Sequence, residues 1–169
     1  SARVREELKT ILFLGGSQGA KAINELAINL APYLKEKGIK IIHQCGKNGF
    51  DELKKRYDEL GFNETNLEIF EFSKEIENKM SKADLAISRA GASSLWELCA
   101  NALPSIFVPF PYAAGNHQFY NAKFLKDKGI AEICLQNGEI LNKDEVIRMI
   151  ENFDLNKSSK ALKEILLPN

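Results

Sequence analysis

Ala83-Asp-Leu-Ala-Ile-Ser-Arg-Ala-Gly-Ala-Ser-Ser-Leu-Trp-Glu97 is the stretch whose reading decides the fold. Residues 85–88 are short and apolar and read as a buried strand, residues 89–92 as a tight turn of small residues, and a helix is predicted to open on Ser93 and Ser94. Thr10-Ile-Leu-Phe-Leu-Gly-Gly-Ser-Gln-Gly-Ala20 has the same strand–turn–helix pattern near the start of the chain. Two such turns in one small α/β domain offer two helix N-termini to one anion, which points to a phosphate-bearing ligand.

Outward from these turns, apolar β-rich runs recur at 11–14, 39–45, 67–70, 85–88, 105–108 and 131–135. Helical patterns occupy 20–37, 50–60, 75–81, 94–101, 117–128, 143–152 and 158–166, with Gly38, Gly61 and Gly129 at expected C-terminal caps. Strands of nearly continuous apolar character suit a parallel sheet covered on both faces. Six alternations predict a doubly wound, Rossmann-like, mostly parallel six-stranded sheet in a single domain spanning 1–169. Ligands of such sheets bind beyond the strands' carboxyl ends, so the loops at 15–19, 44–49, 71–74, 89–94 and 110–118 are the ones to inspect.

Composition narrows the partners. Lys+Arg and Asp+Glu both number 23, so no net field recruits nucleic acid or an acidic membrane, and an anion site must be built locally. The cysteines, Cys45, Cys99 and Cys134, are odd in number and lack CxxC spacing, which suggests buried thiols in a reducing compartment. The longest apolar run is broken by Pro104, Pro109 and Pro111, and neither a spanning helix nor a leader is expected. A soluble, cytoplasmic chain is the expectation.

The glycine turn Gly15-Gly-Ser-Gln-Gly19 permits the positive φ and the close backbone approach that a bound phosphate needs, although any strand-to-helix turn of an α/β fold favours glycine. It is not a triphosphate loop, because Lys21 precedes Ala22 instead of Ser or Thr. It is also a poor dinucleotide fingerprint, since the second strand ends in Gln44 and Cys45 where an acid would hold an adenosine ribose. In the second turn, the small residues Gly91 and Ala92 lead into Ser93 and Ser94, which can present hydroxyls and first-turn N–H groups to an anion, and Glu97 lies one turn further. Ser94-x-x-Glu97 also has the form of a capping box, while an acid beside a phosphate site is what a ribose diol needs as acceptor. Arg89 either offsets that acid's charge or caps the fourth strand. In the third loop His117, Gln118 and Asn121 fall at helical spacing and suit sugar hydroxyls, although a lone histidine is more often structural. His43 reads as a satisfied core histidine, Phe70 and Phe72 as core with Phe72-Ser73 able to border a base, and Trp96 as packing. The charged segment at 51–59 reads as a solvated helix face. No Cys/His metal cluster, serine nucleophile elbow or D-x-D triplet is present, so no metal and no cofactor is expected.

Taken together, Gly15-Gly-Ser-Gln-Gly-Ala20, His43-Gln-Cys-Gly46, Arg89-Ala-Gly-Ala-Ser-Ser-Leu-Trp-Glu97, Leu103-Pro with Phe107-Val-Pro-Phe110, and His117-Gln with Asn121-Ala122 resemble, in the same order, the MurG family. That family moves N-acetylglucosamine from UDP-N-acetylglucosamine to the undecaprenyl-pyrophosphoryl-MurNAc-pentapeptide of bacterial peptidoglycan synthesis. The resemblance covers the C-terminal, donor-binding half of a two-domain GT-B glycosyltransferase and lacks the N-terminal acceptor half. It implies that Gly16, Ser17, Ser93 and Ser94 flank the diphosphate, that the backbone near Ser73 holds the uracil with Ala92 closing the pocket, and that Glu97 accepts from the ribose. His117, Gln118 and Asn121 would read the sugar. Other members carry Leu-Thr where this chain has Ser93-Ser94, and Gln at His117. The general base and most membrane contact would belong to the missing half, at the cytoplasmic face of the inner membrane. Two alternatives stay open, a UDP-N-acetylglucosamine 2-epimerase-like enzyme and a non-catalytic nucleotide-sugar module.

Overall fold

The computed structural model describes residues 2–16, 20–138 and 141–165. Among them the chain runs β1 (Thr10–Leu14), α1 (Ala20–Glu36), β2 (Lys40–Gln44), α2 (Phe50–Glu59), β3 (Leu67–Phe70), α3 (Ile76–Lys82), β4 (Leu85–Ser88), α4 (Ala92–Ala100) and β5 (Ser105–Phe107). A 3-10 turn (Ala114–Asn116), α5 (His117–Asp127), β6 (Glu132–Ile133), α6 (Lys143–Asn152) and α7 (Leu155–Ile165) complete it. The strands form one sheet in the order β3-β2-β1-β4-β5-β6, every neighbouring pair parallel.

Residue alternation along the strands explains why helices cover both faces. Ile11, Phe13, Leu85, Ile87 and Ile106 pack into a core with α1, α2 and α6. Leu12, Leu14, Ala86 and Phe107 pack the other way, against α3, α4, α5 and the Leu162 side of α7. The chain leaves β1 for β2 and β3, then returns to β4 on the other side of β1. This reversal is the place where an open parallel sheet leaves a crevice beyond its strand ends. Leu14 is in register with both Gln44 and Ser88, so the carboxyl ends of β1, β2 and β4 are level.

The expected doubly wound sheet is thus observed, with shifted boundaries. β6 keeps only two of its five expected residues, being an edge strand that pairs with β5 alone, and Leu135 beyond it is exposed. α7 begins three residues early because Asp154 accepts from the N–H of Lys157, at 3.0 Å, and of Ser158. Gly38, Gly61 and Gly129 follow α1, α2 and α5 with positive φ, as expected for caps.

Arg5, which carries no sequence signal, is fully buried ahead of β1. Its guanidinium donates to Met80 O and Ala83 O at the end of α3 and to Asn101 O at the end of α4. A cation there suits the carbonyl-rich helix ends, and desolvation lowers its pKa to about 10. Arg5 thereby joins the two helices that wall the crevice at their opposite ends.

Candidate functional site

The crevice beyond the strand ends holds a cavity of about 190 Å³. Leu14 and Gly16 line it from the end of β1 and Gln44 from the end of β2. Phe72, Ser73, Ile76 and Met80 wall it from the β3–α3 side, and Ser94 and Glu97 from α4. Segments far apart in sequence therefore converge where the two glycine turns meet. Arg89 N donates to Leu14 O at 3.3 Å, which joins the start of the second turn to the end of the first strand.

Close approach dictates glycine in the first turn. A Cβ on Gly15 would lie 2.7 Å from both Cα and Cβ of Ala20, so α1 would have to move. Gly16 follows with φ +74°, a left-handed conformation that glycine adopts without penalty. Ser17, a predicted diphosphate contact, lies outside the described residues.

The second turn corrects the capping-box reading. α4 opens at Ala92, two residues before the expected start, with Gly91 at its N-cap and no side-chain cap. Ser94 is therefore the third helical residue, and Glu97 is too deep in the helix to reach back to the cap. Glu97 instead accepts from Ser93 Oγ at 3.4 Å and keeps its carboxylate on the cavity wall. The first intrahelical bond is Leu95 N to Gly91 O at 3.0 Å. The N–H groups of Ala92, Ser93 and Ser94 are then the orphan donors of a helix start that no side chain caps, as anion binding requires. Ala92 and Ser93 are exposed and Ser94 is half-buried toward the cavity.

The third loop is organised around Ala90. Gln118 Oε1 accepts from Ala90 N at 3.2 Å and from Phe110 N at 2.9 Å, and Asn121 Nδ2 donates to Ala90 O at 3.1 Å. Both side chains bind the β4–α4 turn to the β5–α5 loop. Gln118 Nε2 stands beside Gly91, 3.7 Å from where a Cβ would be. His117, the first residue of α5, donates through Nδ1 to Ala114 O at 2.5 Å and is exposed. Structure therefore brings Gln118, Asn121 and Gly91 together, with one amide atom of each side chain already engaged.

Arg89 is buried, and its guanidinium reaches Val108 O at 3.2 Å and Pro109 O at 3.4 Å and lies 5.3 Å from the Phe110 ring centroid. It joins β4 to the end of β5 instead of capping its own strand, and desolvation lowers its pKa to about 10. Ser73 Oγ accepts from Glu75 N at 3.0 Å, which holds its side chain against the start of α3.

His43 is a core histidine, as expected, fully buried between Tyr57 and Asn24, and burial pulls its pKa down to about 3. The Phe70 and Phe72 pair divides: Phe70 packs on the core, while Phe72 is 55% exposed at the cavity. Trp96 departs from the expected packing role, being 51% exposed on the outer side of α4, since Leu95, Leu98 and Cys99 supply the buried face. Ile76 and Met80 line the cavity although sequence reasoning named neither for the site, and Gln44 lines it from the edge of the inspected loop 44–49 without having been given a role. For Gln44 a signal existed, its place as the last residue of β2. A larger groove, about 540 Å³, lies at the other end of the sheet between Ala131, α6 and the start of α7. Its lining mixes charges, Glu132, Glu145 and Asp154 with Arg148 and Lys157, and neither glycine turn reaches it.

Comparison with known proteins gives the family and the fold relatives of the chain. Residues 10–165 match the glycosyltransferase family 28 C-terminal domain. The chain is 58% identical over its whole length to the UDP-N-acetylglucosamine–N-acetylmuramyl-(pentapeptide) pyrophosphoryl-undecaprenol N-acetylglucosamine transferase of Campylobacter fetus, covering 49% of that protein. Against the protein of the same name from Campylobacter jejuni (strain 81-176) the identity is 56%, with 48% of the relative covered. The crystal structure of Acinetobacter baumannii MurG superposes with a TM-score of 0.79 at 31% identity, over 97% of this chain and 47% of that one. The chain spans about half the length of the curated relatives it matches.

Proposed function

The chain belongs to the glycosyltransferase family 28 C-terminal domains, and we propose that it is the donor-binding half of an N-acetylglucosaminyltransferase. The donor is UDP-N-acetylglucosamine and the acceptor the lipid-linked MurNAc-pentapeptide of peptidoglycan synthesis, by analogy with the names of its relatives. The observation that carries this reading is the meeting of Gly16, the uncapped start of α4 and Glu97 around one cavity.

In this reading uridine enters between Phe72, Ser73 and Ile76, its base meeting the main chain near Ser73 and Ala92. Glu97 accepts from the ribose hydroxyls. The diphosphate lies between Gly16 and the N–H groups of Ser93 and Ser94 near Gly91. The sugar extends toward His117, Gln118 and Asn121, whose amides are oriented by their bonds to Ala90, while Arg89 holds the β5 loop from beneath. When the acceptor hydroxyl attacks the anomeric carbon from the far side, configuration inverts and UDP departs. The charge developing on its phosphate meets N–H dipoles that are already oriented, the form of stabilisation that costs no reorganisation during reaction. The base that deprotonates the acceptor, the acceptor pocket and the contact with the cytoplasmic face of the inner membrane fall to the half of the relatives that this chain does not span. Among the described residues no helix is long and apolar enough to cross a membrane.

Titration of the 169-residue chain with UDP-N-acetylglucosamine, UDP-glucose, GDP-mannose and NAD, with chelator present throughout, tests the proposal. Both UDP-sugars are expected to bind, the N-acetylglucosamine form more tightly, and the chain alone is expected to transfer no sugar. Equal affinity for GDP-mannose or NAD would overturn it, as would binding abolished by the chelator.

A further inference from the structure

The His43-Gln-Cys-Gly46 motif lines the cavity through Gln44, yet its histidine is hydrogen-bonded at both ring nitrogens in the interior behind it. His43 is fully buried, as is Tyr57 of α2. His43 Nε2 lies 2.7 Å from Asn24 Oδ1 of α1, and His43 Nδ1 lies 2.7 Å from the Tyr57 hydroxyl. Asn24 Nδ2 donates to Cys45 O at 3.0 Å, which fixes its amide orientation. Nε2–H is then the donor to Asn24, and Nδ1 accepts from Tyr57. The histidine is neutral with one tautomer, and every polar atom of the chain of bonds is satisfied.

These bonds run toward the phosphate turn. Beyond Cys45, Gly46 packs so closely that a Cβ there would lie 3.3 Å from Ala20 Cβ and 3.9 Å from Gly16 O. Cys45 N and Gly46 N in turn donate to Phe70 O and Glu71 O, just before Phe72 and Ser73. Apolar side chains would fill the same space without directional demands. Hydrogen bonds in a dry interior instead fix how far α1 stands along β2.

We propose that His43 is a positioning residue for the donor diphosphate, setting through Asn24 where the first turns of α1, and with them Gly15 and Gly16, stand relative to the end of β2. This deepens the donor-site reading and rests on it. A displaced α1 would lose contacts to phosphate while the α3–α4 walls of the nucleoside pocket, held from Arg5, stay in place.

The test measures affinities for UDP and for uridine in the 169-residue chain and in Asn24→Ala, Tyr57→Phe and, as a control for lost stability, Leu162→Ala on α7. Asn24→Ala is expected to weaken UDP about tenfold while uridine changes less than about twofold, with Tyr57→Phe showing the same split in smaller measure. Leu162→Ala, with a comparable fall in Tm, is expected to change neither ligand. Should Asn24→Ala fail to fold, Tyr57→Phe decides alone. Equal losses for both ligands, or none, overturn the proposal while leaving the donor site standing. A wild-type chain that binds neither ligand would instead sink the donor-site reading, and this proposal with it.

Discussion

Glu97 is the residue on which the ligand assignment turns, because its carboxylate lines the cavity and caps nothing. Glu97→Ala should weaken UDP by roughly 1.5–3 kcal/mol through loss of a charged hydrogen bond. Binding of 2′,3′-dideoxy-UDP should barely change, and calorimetric titration of both nucleotides separates the cases. His43 gives a prediction of another kind. Its folded pKa is held down to about 3 by burial, whereas in the unfolded chain it titrates at the ordinary value of 6.5. Between those values the unfolded chain binds the extra proton, so stability present above pH 6.5 is lost as pH falls. The slope is at most about 1.4 kcal/mol per pH unit. Urea unfolding between about pH 6.5 and 5 stays above the range of carboxylates such as Glu25, which the Arg56 hydrogen bond holds low. His43→Gln should flatten the dependence there, and an unchanged slope would contradict the assignment.

At the scale of elements, the second glycine turn shows what sequence could and could not convey. The strand over residues 85–88 and the helix after it were both legible, because apolar strands and small-residue turns have local signatures. The start of α4 was not, since Ser94 with Glu97 imitates a capping box and only the three-dimensional path shows Gly91 at the N-cap. The consequence is measurable. Ser94→Ala should change unfolding free energy by less than about 0.5 kcal/mol, where loss of a genuine cap costs about 1 kcal/mol. The same substitution should weaken UDP, because Ser94 faces the cavity. The roles of Gln118 and Asn121 were half legible. Their place at the head of α5 followed from spacing, but their bonds to Ala90 depend on two loops 28 and 31 residues apart meeting in space.

For the whole molecule, the alternation of apolar runs and helices sufficed for the doubly wound sheet, and its order then dictated where to look. What composition could not convey were contacts between distant ends of elements. Arg5 is the clearest case, a charged residue in the polar segment ahead of β1 that ends up fully buried against two helix C-termini. Its bonds join the ends of α3 and α4, and no local pattern announces them.

A crystal structure of the chain with bound UDP tests the central claim most directly. The account predicts the diphosphate between Gly16 and the N–H groups of Ser93 and Ser94, with both ribose hydroxyls within hydrogen-bond distance of Glu97. UDP seated instead in the groove of Arg148 and Lys157, or with its ribose turned away from α4, would contradict it.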